Sequence, residues 1–210
     1  MTRIAIFTRA PVPGASKTRL IPALGAEGAA RLHVAMTEHA IRQALAAGIG
    51  PVELWCAPDA SHPFFAQVAR DFGVALHVQA AGELGEKMLA AFAAAKGPLL
   101  LTGSDVPSIM AADIAACADA LEQGADAVFL PAEDGGYGLV GAARPIAEIF
   151  AGIEWGGARV MEQTREKLMG LGLAWREPRV VWDVDLPEDY DRLRREALLG
   201  ARLPMAGAED

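Results

Sequence analysis

Asp105 stands in Thr102-Gly-Ser-Asp-Val-Pro107, directly after the continuously apolar run Leu99-Leu-Leu101. Such a run reads as a central strand covered on both faces, so the carboxylate is delivered to the edge of a sheet. Pro107 stiffens the exit and limits where that carboxylate can go. One aspartate completed by ligand phosphates and water is how Mg²⁺ is commonly held, because that ion keeps much of its hydration. Asp105 is therefore a candidate ligand for Mg²⁺ or Mn²⁺ and a catalytic residue, with Ser104 beside it as a nucleotide contact. The competing reading makes Ser104 or Asp105 a helix N-cap, a part that Ser108 or Asp113 could equally play.

A second segment, Thr8-Arg-Ala-Pro-Val-Pro-Gly-Ala-Ser-Lys-Thr-Arg-Leu20, joins a strand to a helix through two prolines, a glycine and three cations. This chemistry suits a pyrophosphate. Backbone N–H groups around Ala10 and Gly14 can approach phosphate oxygens, while Arg9, Lys17 and Arg19 supply charge-assisted bonds. Lys17 is in addition a candidate catalytic residue beside Asp105. A merely solvated basic loop is the alternative. Pro11 and Ser16 occupy positions where a Walker A loop needs glycine, and no G-x-G-x-x-G is present.

Two further strand ends carry candidates. Gln79-Ala-Ala-Gly-Glu-Leu-Gly-Glu-Lys-Met88 offers Gln79, Gly82 and Gly85 for a base or sugar, or is a plain turn before a helix. Pro131-Ala-Glu-Asp-Gly-Gly-Tyr-Gly-Leu139 places Asp134, Gly135, Gly136 and Tyr137 together. Asp-Gly between β runs is first a hairpin signal, but the aromatic hydroxyl of Tyr137 beside flexible backbone also suits an acceptor site. Near the end, Trp182-Asp-Val-Asp-Leu-Pro-Glu-Asp189 sets Asp183 and Asp185 on one side of an extended segment. Either could complete a metal site with Asp105, and Asp185 is the expected partner; the alternative makes Asp185 an N-cap ahead of Pro187. His33, His39, His62 and His77 form no H-E-x-x-H and read as structural, and Ser104 lacks a G-x-S-x-G context.

These residues must be positioned by alternating strands and helices. Strands are expected at Arg3–Thr8, Val52–Cys56, Val74–Gln79, Pro98–Gly103, Ala127–Pro131, Gly138–Val140 and near Arg179–Trp182. Helices are expected at Ala26–Ala47, Pro63–Phe72, Leu84–Ala95, Ala111–Glu122, Pro145–Phe150, Ala158–Leu168 and Pro187–Leu198, several closed by a glycine such as Gly48, Gly73, Gly97 or Gly124. No repeat or composition break divides the chain, which predicts one α/β domain over residues 1–202 and a flexible tail over 203–210.

The chain of 210 residues is 52% hydrophobic and 22% charged, enough apolar side chain for one sizeable core. Its formal net charge of -8 argues against a nucleic-acid partner, which needs clustered Lys and Arg. Cys56 and Cys117 have neither zinc nor disulfide spacing and read as buried thiols in a reducing compartment. No signal-peptide pattern and no run of roughly 20 apolar residues is found, so a cytoplasmic protein without a membrane partner is expected.

The motifs Phe7-Thr-Arg-Ala-Pro-Val-Pro-Gly-Ala-Ser-Lys-Thr-Arg-Leu20, Leu84-Gly-Glu-Lys-Met88, Gly103-Ser-Asp-Val-Pro107, Pro131-Ala-Glu-Asp-Gly-Gly-Tyr137, Ile153-Glu-Trp155 and Asp183-Val-Asp185 occur in one order along nearly the whole chain. In this the sequence resembles the DUF2064 proteins, also labelled radical-SAM/selenodomain-associated transferase 1, which are similar to GT-A glycosyltransferases and to nucleotidyltransferases such as the molybdenum-cofactor guanylyltransferases. The resemblance implies a nucleotide-diphospho-sugar transferase (GT-A-like) fold with a mixed, mostly parallel sheet. It implies the nucleotide over the amino-terminal half of the sheet and the acceptor over the other half. It also implies that Asp105 stands where GT-A enzymes carry the metal-binding Asp of D-x-D, although Gly103-Ser-Asp105 has a single carboxylate. The expected function is a metal-dependent transferase acting on a nucleotide or nucleotide-sugar and a small-molecule acceptor, glycosyltransferase-like first. A nucleotidyltransferase releasing pyrophosphate is the alternative, and a non-catalytic nucleotide-binding protein the second.

Overall fold

The structure, a computed structural model, describes residues 1–200 and 203. The tail expected at 203–210 lies outside them apart from Leu203. Seven strands form one sheet in the order β3-β2-β1-β4-β6-β5-β7. They are β1 (Arg3–Arg9), β2 (Val52–Ala57), β3 (Ala75–Val78), β4 (Leu99–Gly103), β5 (Ala127–Pro131), β6 (Tyr137–Ala142) and β7 (Trp175–Arg176). Only β6 runs antiparallel to its neighbours, pairing with β4 on one side and β5 on the other. Helices α1 (Ile21–Ala47), α2 (Pro63–Phe72), α3 (Leu84–Ala94), α4 (Ala111–Glu122), α5 (Val160–Gly170) and α6 (Pro187–Glu196) cover it.

The strands are buried on both faces because their alternate residues feed two cores. Ile4, Ile6 and Leu100 pack with Ile41, Phe65, Val68 and Ile114 from α1, α2 and α4. Ala5, Phe7, Leu99 and Leu101 pack with Met88, Phe92 and Met161 from α3 and α5. A third cluster joins Leu20 and Leu32 of the α1 region to Trp182, Tyr190 and Leu193, which ties α6 and the segment before it to α1.

Several expectations need correction. The last strand falls at Trp175–Arg176, and of the segment expected as a strand only Val181 bridges the sheet, to Ala132. Pro145–Phe150 forms a short 3-10 turn at Ala147–Ile149 rather than a helix. Gly48 and Gly73 do cap α1 and α2 in the left-handed conformation, but α3 and α4 end at Ala95 and Gln123, before Gly97 and Gly124. Among the described residues, no helix is long and apolar enough to cross a membrane.

Because β1 leads to β2 and β3 on one side while β4 returns on the other, the sheet has a switch point between β1 and β4. Connections diverge there and leave a crevice at the carboxyl ends of the strands, the usual ligand position in open α/β sheets. Arg9 ends β1, and Asp105 lies two residues beyond β4.

Candidate functional site

A cleft of about 650 Å³ opens at that switch point. Its size falls in the range of small-molecule sites. Of the expected residues, Arg9, Lys17, Arg19, Gln79, Ser104, Asp105, Asp134, Gly136, Tyr137 and Asp185 line it. Ala10, Gly14, Gly82, Gly85 and Gly135 do not.

Asp105 is seated by its neighbours. Its Oδ1 folds back over Gly103, where a Cβ would lie only 2.4 Å away, so the glycine makes room for the carboxylate. The loop that follows is bolted down: Ser108 Oγ donates to the carbonyl of Trp182 (2.7 Å) and accepts from its N–H, and His39 Nε2 meets the carbonyl of Pro107 at 3.1 Å. The cap question resolves here as well. Helix α4 starts after Met110, and Asp113 accepts from the Met110 N–H at 2.8 Å, so neither Ser104 nor Asp105 is used as the cap. Ser104 instead donates its buried hydroxyl to Thr8 (3.0 Å), in a polar network with Thr37 and His33 under the cleft floor.

His33 belongs to that floor. Its Nε2 lies 2.9 Å from the carbonyl of Arg9 and must be the protonated nitrogen, while buried Nδ1 has no partner among the described residues. Burial lowers its pKa despite the bond to Arg9, so the ring is neutral at pH 7. His39 buttresses the Asp105 loop, His62 caps α2 and His77 stacks on Trp55, which matches the structural reading of these three.

The basic loop is more occupied than its sequence suggests. Lys17 has φ 48° and ψ 48°, a left-handed conformation that is uncommon for lysine and concentrates at functional sites. Its side chain is 9% exposed, and the ammonium donates to the Val184 carbonyl at 2.6 Å and lies 3.4 Å from Asp105 and 3.8 Å from Asp185. Arg19 is bonded to Asp185. Arg9 makes no ion pair with a described residue and remains a free cation at the end of β1. The Ala10 N–H is spent on the Ala57 carbonyl, which removes it as a phosphate donor. Gln79 likewise donates its side-chain amide to the carbonyls of Thr8 and Trp55, leaving its oxygen for a ligand.

The carboxylates divide into two kinds. The Val184 N–H donates to the Asp105 carbonyl at 2.9 Å, so the Asp183–Asp185 segment runs beside Asp105. Asp185 is held by Arg19 and Lys17. It does not cap α6, since the N-cap is Leu186 and Asp189 receives both the Asp185 and Leu186 N–H groups. Asp183 has no ion pair among the described residues. Burial, then the charges of Asp105 and Asp134, push its carboxyl up to about 6. Burial also acts to raise Asp105, but the Lys17 ammonium and its own backbone N–H hold it below the ordinary carboxylate range.

A hard divalent cation fits this donor set: neighbouring carboxylates that repel one another, all offering oxygen. Among the described residues no three His, Cys, Asp or Glu side chains converge on one point, so a cation here would draw its remaining ligands from phosphate and water.

On the far side, Tyr137 stands edge-on to Trp155 with ring centroids 6.4 Å apart, and its hydroxyl lies 4.0 Å from the Met88 sulfur. Burial pushes the phenol pKa up, so this hydroxyl stays protonated. Gly85 acts by absence of a side chain: a Cβ there would sit 2.8 Å from the Trp155 ring. Gly82 lies under the Glu86 carboxylate, and Gly135 passes beneath the Ala158 carbonyl. These three glycines serve close packing rather than ligand contact. Trp155 and Lys87 also line the cleft, although the sequence pattern did not single them out as site residues. The i, i+3, i+4 spacing of Leu84, Lys87 and Met88 on one helix face was the signal that could have found Lys87.

The sheet order, its switch point and the polar cleft above it define a nucleotide-diphospho-sugar transferase fold. Within that class the chain belongs to DUF2064, described as an uncharacterized protein conserved in bacteria, whose profile matches residues 40–157. A candidate nucleotide-diphospho-sugar transferase from Desulfovibrio desulfuricans G20 is 27% identical with a TM-score of 0.83, over 95% of this chain and 89% of that one. CMP:2-keto-3-deoxy-manno-octonic acid synthetase, solved with CTP, shares the fold at 14% identity and a TM-score of 0.60, over 93% and 97% of the two chains. So does glucosyl-3-phosphoglycerate synthase from Mycobacterium tuberculosis, solved with Mn²⁺, UDP and glucosyl-3-phosphoglycerate, at 12% and 0.55 over 99% and 81%. No curated protein sequence matches the chain.

Proposed function

We propose that this protein is a divalent-cation-dependent transferase that moves a glycosyl group from a nucleoside diphosphate to a small acceptor. The observation that carries this reading is the meeting of Asp105 and Asp183 at the switch point, flanked by Lys17 and by the unpaired Arg9. The acceptor's hydroxyl oxygen forms a bond to the sugar's anomeric carbon and gives up its proton to water, the bond from that carbon to the diphosphate breaks, and negative charge gathers on the leaving group. Asp105 and Asp183 would hold Mg²⁺ or Mn²⁺, which when bound supplies positive charge against that leaving group. Arg9 binds a diphosphate oxygen, and Gln79 offers its free carbonyl to the base over β1 and β2. Lys17 ties Asp105 to the Val184 backbone and so keeps the two acidic segments in register. Arg19 and Asp185 form the rim of the same clamp. Asp134, Gly136 and Tyr137 face the acceptor.

Nucleotidyl transfer is the second reading. Asp183 comes from a distant segment rather than from within a D-x-D pair, and buried Lys17 adds a fixed cation that would also stabilise a leaving pyrophosphate. One experiment separates them: incubate the protein with Mn²⁺, nucleoside triphosphates or nucleotide sugars, and a panel of small acceptors, then quantify nucleoside diphosphate and pyrophosphate. Diphosphate release supports glycosyl transfer and pyrophosphate release the alternative. Cation-dependent nucleotide binding that survives Asp105→Ala unchanged would sink both.

A further inference from the structure

Four cations line the cleft, and two of them are already matched: Lys17 by Asp105 and Asp185, Arg19 by Asp185. Arg9 is assigned above to the donor. Lys87 remains. It is half-buried on the first turn of α3 and makes no ion pair with a described residue, although the chain carries an excess of acid. Its acidic neighbours are engaged elsewhere: the Glu86 carboxylate accepts from the Glu83 N–H at 2.9 Å, and Glu83 is the N-cap of the same helix. A lysine on the cleft wall without a counter-ion is available to pair with a bound anion.

The surroundings locate that anion. Leu84, Lys87 and Met88 share one face of α3 and all line the cleft. The sulfur of Met88 meets the Tyr137 hydroxyl, and the α-carbon of Gly85 supports the ring of Trp155, so this turn of helix forms one wall of the Tyr137–Trp155 corner. Polar anchoring by Lys87 beside two aromatic faces and Leu84, which is 46% exposed, describes a site for a molecule with a charged group and a flat or apolar body.

We propose that Lys87 is a specificity-determining residue that receives an oxyanion on the acceptor, so that the acceptor is a small phosphorylated or carboxylated molecule. This rests on the cleft being the transfer site proposed above. The test is calorimetry on the wild-type protein and on Lys87→Ala, Lys87→Gln and Lys87→Arg. The probes are glucose 1-phosphate, glucuronate and glucose, with UDP and CTP in Mn²⁺ titrated separately. Wild type should bind one or both anionic sugars and not glucose, and the preferred anion distinguishes phosphate from carboxylate. Lys87→Ala and Lys87→Gln should bind it about ten- to a hundred-fold more weakly, the size of a charge-assisted hydrogen bond, with partial recovery in Lys87→Arg. Nucleotide affinity should stay within about two-fold, since Lys87 sits apart from the donor groups in this scheme. A wild-type protein that binds nucleotide but neither anionic sugar overturns the proposal and leaves the donor reading standing. So does a Lys87→Ala protein that loses nucleotide while keeping the anionic sugar. Failure of wild type to bind any nucleotide counts instead against the donor reading.

Discussion

Replacing Gly103 by alanine should impair cation binding without unfolding the protein. Gly103 ends β4, and its φ lies outside the left-handed region, so alanine can adopt the same backbone. The new methyl group would, however, stand 2.4 Å from Asp105 Oδ1, with Asp105 Cγ at 3.6 Å. Ordinary contact requires a retreat of about 1 Å, which the carboxylate achieves by rotating rather than by displacing the strand. The lower entropy of the unfolded chain favours alanine by about 0.5–1 kcal/mol, which offsets the collision and leaves stability nearly unchanged. Misplacing a ligating carboxylate, by contrast, should weaken Mn²⁺-dependent nucleotide binding about 10- to 100-fold, the scale seen when groups that orient a metal ligand are lost. Thermal melts and calorimetry with UDP or CTP in Mn²⁺ measure the two quantities on the same sample, and Asp105→Ala sets the lower limit. Gly103→Ala binding Mn²⁺ and nucleotide within two-fold of wild type, at an unchanged melting temperature, would refute the claim that the seating of Asp105 matters.

Asp183→Asn should abolish the Mn²⁺ dependence of nucleotide binding whereas Asp185→Asn retains it; equal losses in calorimetry would return Asp185 to the metal site. The Asp183 carboxyl titrates at about 6 when folded, above its ordinary value near 4. Without cation the folded state therefore loses stability as pH rises across that window, and a bound cation reverses the trend. The Mn²⁺-induced rise in melting temperature should grow from pH 5 to pH 7, and a flat profile in wild type contradicts this. Gly85→Ala drives a methyl group to 2.8 Å from Trp155 and 2.9 Å from the Phe150 carbonyl, so a loss of about 1–3 kcal/mol in denaturant titrations is expected. Burial raises both thiols to about 12, so Cys56 and Cys117 should resist a thiol reagent at pH 8 until the protein is unfolded in guanidinium.

Much of this was legible in the chain. Ile4, Ile6 and Leu99–Leu101 announce buried strands because apolar runs have few other uses at that length, and a polar residue after each strand marks the ligand edge of an open sheet. Asp105, the cations of the basic loop and Tyr137 were singled out that way, and all of them line the cleft. Caps were harder to assign. Ser104, Ser108 and Asp113 are all competent, yet with α4 starting at Ala111 the N-cap is Met110 and Asp113 accepts its N–H from the first turn; likewise Leu186 is the N-cap of α6 and Asp189, not Asp185, accepts its N–H. Segments as short as the 3-10 turn at Ala147–Ile149 and the two-residue strand Trp175–Arg176 span too few residues to show a hydrophobic period, which is why a helix at Pro145–Phe150 and a strand near Arg179–Trp182 were expected instead.

The sequence by itself determined which residue types stand at the strand ends and therefore the chemistry on offer: carboxylates for a hard cation, cations for phosphate, an aromatic wall for an acceptor. Only the tertiary structure decided which of those charges are free. Lys17 meets Asp105 across 88 residues and Arg19 meets Asp185 across 166, contacts that no local spacing encodes. Once those pairs form, Arg9 and Lys87 are the cleft cations, and Asp183 and Asp134 the cleft carboxylates, without an ion pair among the described residues. Ligand binding depends on that residue of unpaired charge, since a side chain already satisfied within the protein gains little from a ligand.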